Sequence, residues 1–331
     1  MLRGLAEVAP PGRWLLWGPA EMVAEAGGWP GAEPVLTSVD PAAWFGQRSV
    51  GRVPPADRAL HLHQTRPFHR IPAASCVLDL IQLEHPSPPV RLAKALRLRA
   101  SVRAARVIFT ITASVRDRLV AEFGVDPAAV TVLRLPVDAE AAARVAARRS
   151  SSSPDRYLLA VGRFDRHKNL ARLVEAFTAT RFAAHGGALH LVGGTASELG
   201  ALGVDPVPAG VRVLGRLDRP GIEDALAGAT ALVQASLVEG YGLPVAEALQ
   251  AGVPVVSSPV PAVTEFGPRG VPTFDPLSVA GMAGAIDAAV ELIDAGRYWE
   301  VVDREPWAAA RPTPRRLAEQ LIAGLAGMEE R

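Results

Sequence analysis

The sequence predicts an α/β protein built on two doubly wound parallel sheets. Three observations carry that expectation. The chain has 331 residues, where one domain takes about 100–200. Short apolar runs alternate with helical stretches along most of it, the pattern of parallel βαβ units. A serine run closed by proline, 150–154, offers nothing to bury and reads as a linker. The expected organisation is a first domain over 1–149, a linker at 150–156, a second domain over 157–298, and a helical segment over 299–331 that packs back toward the first domain.

In the first half the candidate strands are 13–17, 59–62, 76–80, 107–111 and 130–133, with helices over 90–105 and 114–123. In the second half the strands are 157–161, 188–192, 211–214, 231–233, 253–256 and 271–274, apolar runs rich in Leu or β-branched residues. Between the first two of these, Leu170, Leu173, Val174 and Phe177 share one helical face.

Composition narrows the class. Apolar residues make up 49% and charged residues 21%, which suits a globular chain and excludes a mainly disordered one. With 35 basic and 34 acidic residues the net charge is +1, so nothing global draws the chain to nucleic acid. A single cysteine, Cys76, excludes an internal disulfide framework and a four-cysteine zinc site. The first 20 residues hold no signal-peptide run. The longest uncharged, largely apolar stretch, 225–238, has 14 residues, short of the about 20 of a membrane span. The expected location is the reducing cytoplasm of a bacterium. The cations are uneven: 33 are Arg and only Lys94 and Lys168 are Lys. Abundant Arg, Ala, Gly and Pro reflect a GC-rich genome, so a position that stays Lys invites a physical reason.

Two segments of the second half point to chemistry. Val161-Gly162-Arg163-Phe164-Asp165-Arg166-His167-Lys168-Asn169 runs from a strand into a helix, where open sheets bind ligands. Arg163 offers a planar fork and Lys168 a point charge, a pair suited to a diphosphate; the alternative is a solvated loop. Glu239-Gly240-Tyr241-Gly242-Leu243-Pro244 opens a helix that ends at Gly252. Its glycines let backbone approach a ligand and its first amides favour an anion. Glu239 and Glu247 beside such a site suit hydroxyl groups, as on a sugar and a ribose. The Gly193-Gly194 pair and Gly215-Arg216 also follow strands, where turning the chain explains them equally well.

Taken together, Gly162-Arg163 with Lys168-Asn169, the Glu239–Leu243 turn, Glu247 and Ala251-Gly252-Val253-Pro254 resemble the family-4 retaining glycosyltransferases, group 1 glycosyltransferases of GT-B fold. The resemblance is strongest over 157–275. It implies two Rossmann-like domains with the active site in the cleft between them. It implies that Arg163 and Lys168 hold the donor pyrophosphate and stabilise the leaving charge. By the same resemblance Glu247 accepts from the ribose, Glu239 meets donor-sugar hydroxyls, and the backbone of Gly240, Tyr241, Gly242 and Leu243 contacts sugar and phosphate. Gly162 and Asn169 complete the phosphate loop, and Gly215 and Arg216 lie by the base.

No cofactor and no metal are expected beyond a GDP-, UDP- or dTDP-linked sugar as co-substrate, and the chain has no Asp-x-Asp. The implied acceptor is a glycan or a polyprenol- or lipid-linked sugar in cell-surface polysaccharide or glycolipid assembly. Two alternatives stand beside it: an incomplete or inactive nucleotide-sugar binder, and a sugar-nucleotide epimerase of the same fold.

Three departures shape further expectations. Residues 2–7 resemble the end of the family's first helix and 13–17 its second strand. The family's first strand is therefore expected to be missing, leaving two interior strand edges open. Leu78-Asp79 stands where relatives carry His-Asp near the donor's C6 hydroxyl. A leucine there packs on a methyl and points to a 6-deoxy sugar, or else it is a core residue. Finally, residues 91–106 hold six cations, no acid and a seam of Ala93, Leu96, Ala100, Ala104 and Val107. That is either a solvated helix face or a basic amphipathic helix that touches an anionic membrane.

Overall fold

The computed structural model describes residues 14–18, 35–38, 58–61, 73–149, 156–304 and 312–326. Residues 2–7 and the serine run at 150–154 lie outside the described residues. The chain forms two compact units, Met1–Pro136 with Pro312–Arg331, and Val137–Arg311.

The first unit holds a six-stranded sheet, β1 (Trp14–Gly18), β2 (Val35–Ser38), β3 (Arg58–His61), β4 (Ala73–Val77), β5 (Val107–Thr110) and β6 (Val130–Val132). Its order is β2-β1-β3-β4-β5-β6 and every pair is parallel. The expected open edges are not there: β1 pairs directly with β3, Trp14 against Arg58 through Trp17 against His61. Strand pairing closes the sheet without an intervening strand.

Helix α1 (Pro88–Ala104) joins β4 to β5 and α2 (Ala113–Phe123) joins β5 to β6. The Thr112 hydroxyl caps α2 by accepting from the Val115 amide, and Gly124 at φ +67° ends it. Leu98, Ile108, Val115 and Leu119 form the heart of this unit's core.

The second unit holds β7 (Tyr157–Val161), β8 (Ala188–Val192), β9 (Val211–Gly215), β10 (Ala231–Gln234) and β11 (Val255–Ser257). The order is β11-β10-β7-β8-β9, all parallel. Chain order runs outward both ways from β7, so β7 and β10 flank the switch point where their following loops diverge. The predicted strand at 271–274 is reduced to one bridge, Ser257 to Thr273.

The longer helices of this unit are α3 (Ala139–Arg148), α4 (Leu170–Thr178), α5 (Ala196–Ala201), α6 (Arg219–Gly228), α7 (Leu243–Ala251) and α8 (Val279–Asp294). The expected face of α4, Leu170, Leu173, Val174 and Phe177, is buried.

The units divide at 136/137 rather than at the serine run, because α3 packs on α6 and α7. Asp138 caps α3 by accepting from the Glu140 and Ala141 amides. On α3, Arg144 grips the buried Glu223 of α6 through two bonds of 2.9 and 2.7 Å. At the other end of the chain, α9 (Pro314–Ala326) lies on β5 of the first unit. Its Leu317, Leu321 and Leu325 are buried, spaced four apart on one face.

Arg144 beside Glu223 holds that carboxyl below its ordinary value of 4.5, with Arg219 and Arg148 adding to the effect. A carboxyl lowered by folding contributes stability above its unfolded value and loses it as pH falls through the lowered one. We expect the melting midpoint to fall as pH drops below 4.5, and the slope to flatten in Glu223→Gln. Acid titrations of both proteins, followed by circular dichroism, check this.

Candidate functional site

The carboxyl ends of β7, β8 and β9 are lined with glycines that lie side by side. Gly162 at φ +148° donates to the Val192 carbonyl, and Gly193 at φ +118° donates to that of Gly215. A Cβ on Gly193 would stand 2.3 Å from the Gly162 carbonyl oxygen. A Cβ on Gly194 would enter the Phe164 ring. The glycine pair after β8 thus does more than turn the chain: it makes room for the loop that follows β7.

That loop ends in a short turn, 166–168, and Asn169 in the left-handed conformation at φ +59°. Its side-chain amide donates to the carbonyls of Ala235 and Pro276, and its oxygen accepts from Arg172. Asn169 is buried and acts as a pin that fixes the β7 loop to the end of β10. The Leu237 amide donates to the His167 carbonyl and joins the two loops a second time.

The two loops bring Lys168 and Glu239 together, Nζ to Oε1 at 2.6 Å, with side chains 15% and 9% exposed. The same Glu239 oxygen accepts from Gln234 Nε2 at 2.7 Å and from the Ser236 hydroxyl at 2.6 Å. Gln234 also donates to Ser236 Oγ. Three donors on one oxygen fix the carboxylate and leave Oε2 as its remaining acceptor.

The Lys168 stem crosses Gly162, where a Cβ would stand 3.1 Å from Cε. It lines a small pocket together with Leu170, Leu173 and Val233. His167 is held below its ordinary 6.5 by burial and then by the neighbouring Lys168 charge. It is therefore neutral at pH 7.

Beyond Glu239, Gly242 at φ +96° opens α7, and a Cβ there would press on Val260 and Ala262. No side chain caps this helix; Pro244 has no amide hydrogen and the Val245 and Ala246 amides donate to the Gly242 carbonyl, which leaves the Leu243 amide to meet an anion. Tyr241 is buried and stacked on Phe266 at 5.4 Å, and its carbonyl accepts from the Ala262 amide.

The other expected residues stand apart from this pair. Glu247 accepts from Arg219 at 2.7 Å, and Arg219 also approaches Glu223 at 3.5 Å. Arg163 is 83% exposed and paired with Asp165. Arg216 is exposed and bonded to Glu198 at 2.6 Å. The backbone bond that Glu198 takes from Thr195 in the cap of α5 holds it below the usual carboxylate range. Gly215, at φ +78°, has open space beside it. Leu78 lies in the first unit, half-buried just past β4.

Gln234, Ser236, His167 and Arg219 were not among the expected site residues. The only trace of Gln234 in the sequence is one polar residue interrupting an apolar run. Ser236 and Arg219 carry no sequence signal of their partners.

Residues 155–292 match the family model described as glycosyl transferases, group 1. Glycogen synthase of Mycobacterium tuberculosis H37Rv is 32% identical over 196 residues, which are 57% of this chain and 47% of that protein. The chain thus spans about half the length of the curated relatives it matches. Anabaena HepE, solved with UDP-glucose, superposes with a TM-score of 0.70 at 15% identity, over 95% of this chain and 99% of HepE. A glycosyltransferase of Rickettsia africae gives 0.70 at 12% identity, over 97% and 100%. Residues 155–292 are a group 1 glycosyl transferase domain, in a chain with the GT-B fold.

Gln234 bonds a carboxylate while buried, and a hydrogen bond to a charged group is worth about 1.5–3 kcal/mol. Gln234→Leu is expected to lower unfolding stability by about that amount, in urea titrations. A stability equal to that of the unchanged protein would show that the cradle around Glu239 is idle.

Proposed function

We propose that this chain is a retaining glycosyltransferase that moves a sugar from a nucleotide-sugar donor to a glycan or lipid-linked acceptor in cell-surface polysaccharide or glycolipid assembly. The observation that carries the reading is the meeting of Lys168 and Glu239 at the switch point of a group 1 glycosyl transferase domain. HepE, of the same fold, was solved with UDP-glucose, which fits a diphosphate ligand at such a place.

The chemistry follows from charge. Cleaving the donor's anomeric bond leaves a nucleoside diphosphate with developing negative charge. Lys168 and Arg163 meet that charge from the β7 loop, and the Leu243 amide with the dipole of α7 adds to them. Here the fixed cations and a helix N-terminus do the neutralising. Glu239, its Oε1 committed to three donors, turns Oε2 to a donor-sugar hydroxyl. Glu247 takes the ribose hydroxyls, and Gly215 with Arg216 borders the base.

Donor binding asks Lys168 to exchange a carboxylate for a phosphate. The ammonium keeps an anionic partner throughout, while Glu239 gives up its cation and keeps its neutral donors Gln234 and Ser236. Glu239 loses one of its three donors and gains a sugar hydroxyl.

A thermal-shift screen over UDP-, GDP- and dTDP-sugars identifies the donor, because a ligand at 100 times its Kd stabilises by about 2.7 kcal/mol. Release of the matching nucleoside diphosphate on adding a polyprenol-linked or glycan acceptor then tests transfer. Lys168→Ala is expected to cut kcat by about 10²–10³ with the fold intact. Full activity in that variant would overturn the site; a thermal shift with no release under any acceptor would overturn transfer.

A further inference from the structure

Arg219 stands where a cation is not favoured. It is the first residue of α6, at the end where the helix dipole is positive. The cap of that helix is made without it, since the Asp218 side chain accepts from the Gly221 amide. What Arg219 does instead is bridge two carboxylates on two helices. Its Nη1 donates to Glu247 Oε1 on α7 at 2.7 Å, and its Nε stands 3.5 Å from Glu223 Oε1, one turn on in α6. Glu223 is a fixed anchor: it is 3% exposed, and Arg144 of α3 holds both its oxygens. Glu247 has no such anchor of its own. It is 22% exposed, and among the described residues Arg219 is the only side chain bonded to it.

We propose that Arg219 is the positioning residue of the ribose site, holding Glu247 so that it takes the 2′- and 3′-hydroxyls of a ribonucleoside diphosphate and prefers that ligand to its 2′-deoxy form. The inference rests on the donor site described above. A carboxylate accepts at about four places. Arg219 takes one of them on Oε1 and leaves Oε2 whole, enough for two hydroxyls. Without Arg219, Glu247 is a long side chain with free rotamers, and a hydroxyl must order it before bonding to it. Arg219 orders it in advance. The same ion pair keeps the carboxylate partnered in the empty site and lowers its repulsion of the diphosphate. Arginine suits the task because its fork serves two carboxylates at once, from Nη1 and from Nε. A single ammonium on a flexible stem would settle on one of them. Arg219 acts through Glu247 and needs no contact with the ligand.

The test is calorimetric titration of the full chain with UDP and GDP, with their 2′-deoxy counterparts, and with dTDP. One bond from a hydroxyl to a carboxylate is worth about 10–100-fold in affinity, so the unchanged protein is expected to prefer the ribonucleotide by that ratio. Ordering a free glutamate offsets most of such a bond, so Arg219→Ala is expected to narrow the ratio to about threefold or less. A merely structural role for Arg219 would weaken both forms alike and leave the ratio as it was. The Arg219 side chain is half-exposed, and an unchanged melting midpoint verifies the fold. If the variant melts early, R219Q, which keeps the stem and drops the charge, is read in its place. A ratio near one in the unchanged protein, binding of dTDP alone, or a variant that keeps the full ratio would each overturn the inference and leave the transfer reading standing. Binding of none of these nucleotides would overturn both.

Discussion

The second unit is organised around one ion pair between two loops. Lys168 and Glu239 meet at 2.6 Å with little access to water. Taking both charges out of water carries a desolvation cost that offsets much of their attraction. Such a pair adds little to stability, and its value lies in position. It exists because the sheet order places the ends of β7 and β10 side by side, and because Asn169 and Leu237 tie the loops together below it. A pair whose net worth is small is also one that a ligand can enter: a phosphate replaces the carboxylate without stranding the ammonium.

The surroundings of Glu239 and Glu247 show two ways to hold a carboxylate ready. Glu239 is fixed by two neutral donors and the Lys168 ammonium on one oxygen, which sets its direction and leaves the other oxygen to a partner. Glu247 is fixed by a cation, Arg219, which reaches back toward Glu223 and so toward Arg144 on α3. The helix at the start of the second unit is thereby joined to the candidate site by alternating charges. The same network explains why the unit begins at 137: α3 is bonded to α6 before the chain reaches its first strand.

The strands of the second unit were legible because each is an apolar run with β-branched residues or leucine, and a buried parallel strand demands little else. Reading failed where strand formation rests on neighbours instead. Residues 73–75 are Ala-Ala-Ser, with no β propensity to flag them, yet β4 begins there because β3 and β5 flank it. Residues 271–274 look like a strand, but only Thr273 finds a partner. In α1 the sequence holds two apolar stripes, and periodicity cannot tell which one the sheet takes; it takes Leu98 and Val102. The motif glycines and the ends of the site loops were legible, since their conformations need glycine. Gln234 and Ser236 were not, because what they do depends on where a third residue's oxygen lies.

The geometry also gives a reason for lysine at 168 in a chain that otherwise uses arginine. The lysine stem occupies the space that a Cβ at 162 would need, 3.1 Å from Cε, so a thin alkyl chain is matched to the glycine beneath it. The second reason is energetic. An arginine would grip the Glu239 carboxylate with two parallel bonds, roughly doubling what a ligand must displace. A single ammonium makes one bond to Oε1 and can pivot to a phosphate without breaking a fork. Lys94, on the exposed helix α1, faces neither constraint. There any cation serves, and its being lysine says nothing. At Lys168 both the close passage over Gly162 and the need to let go favour the compact charge.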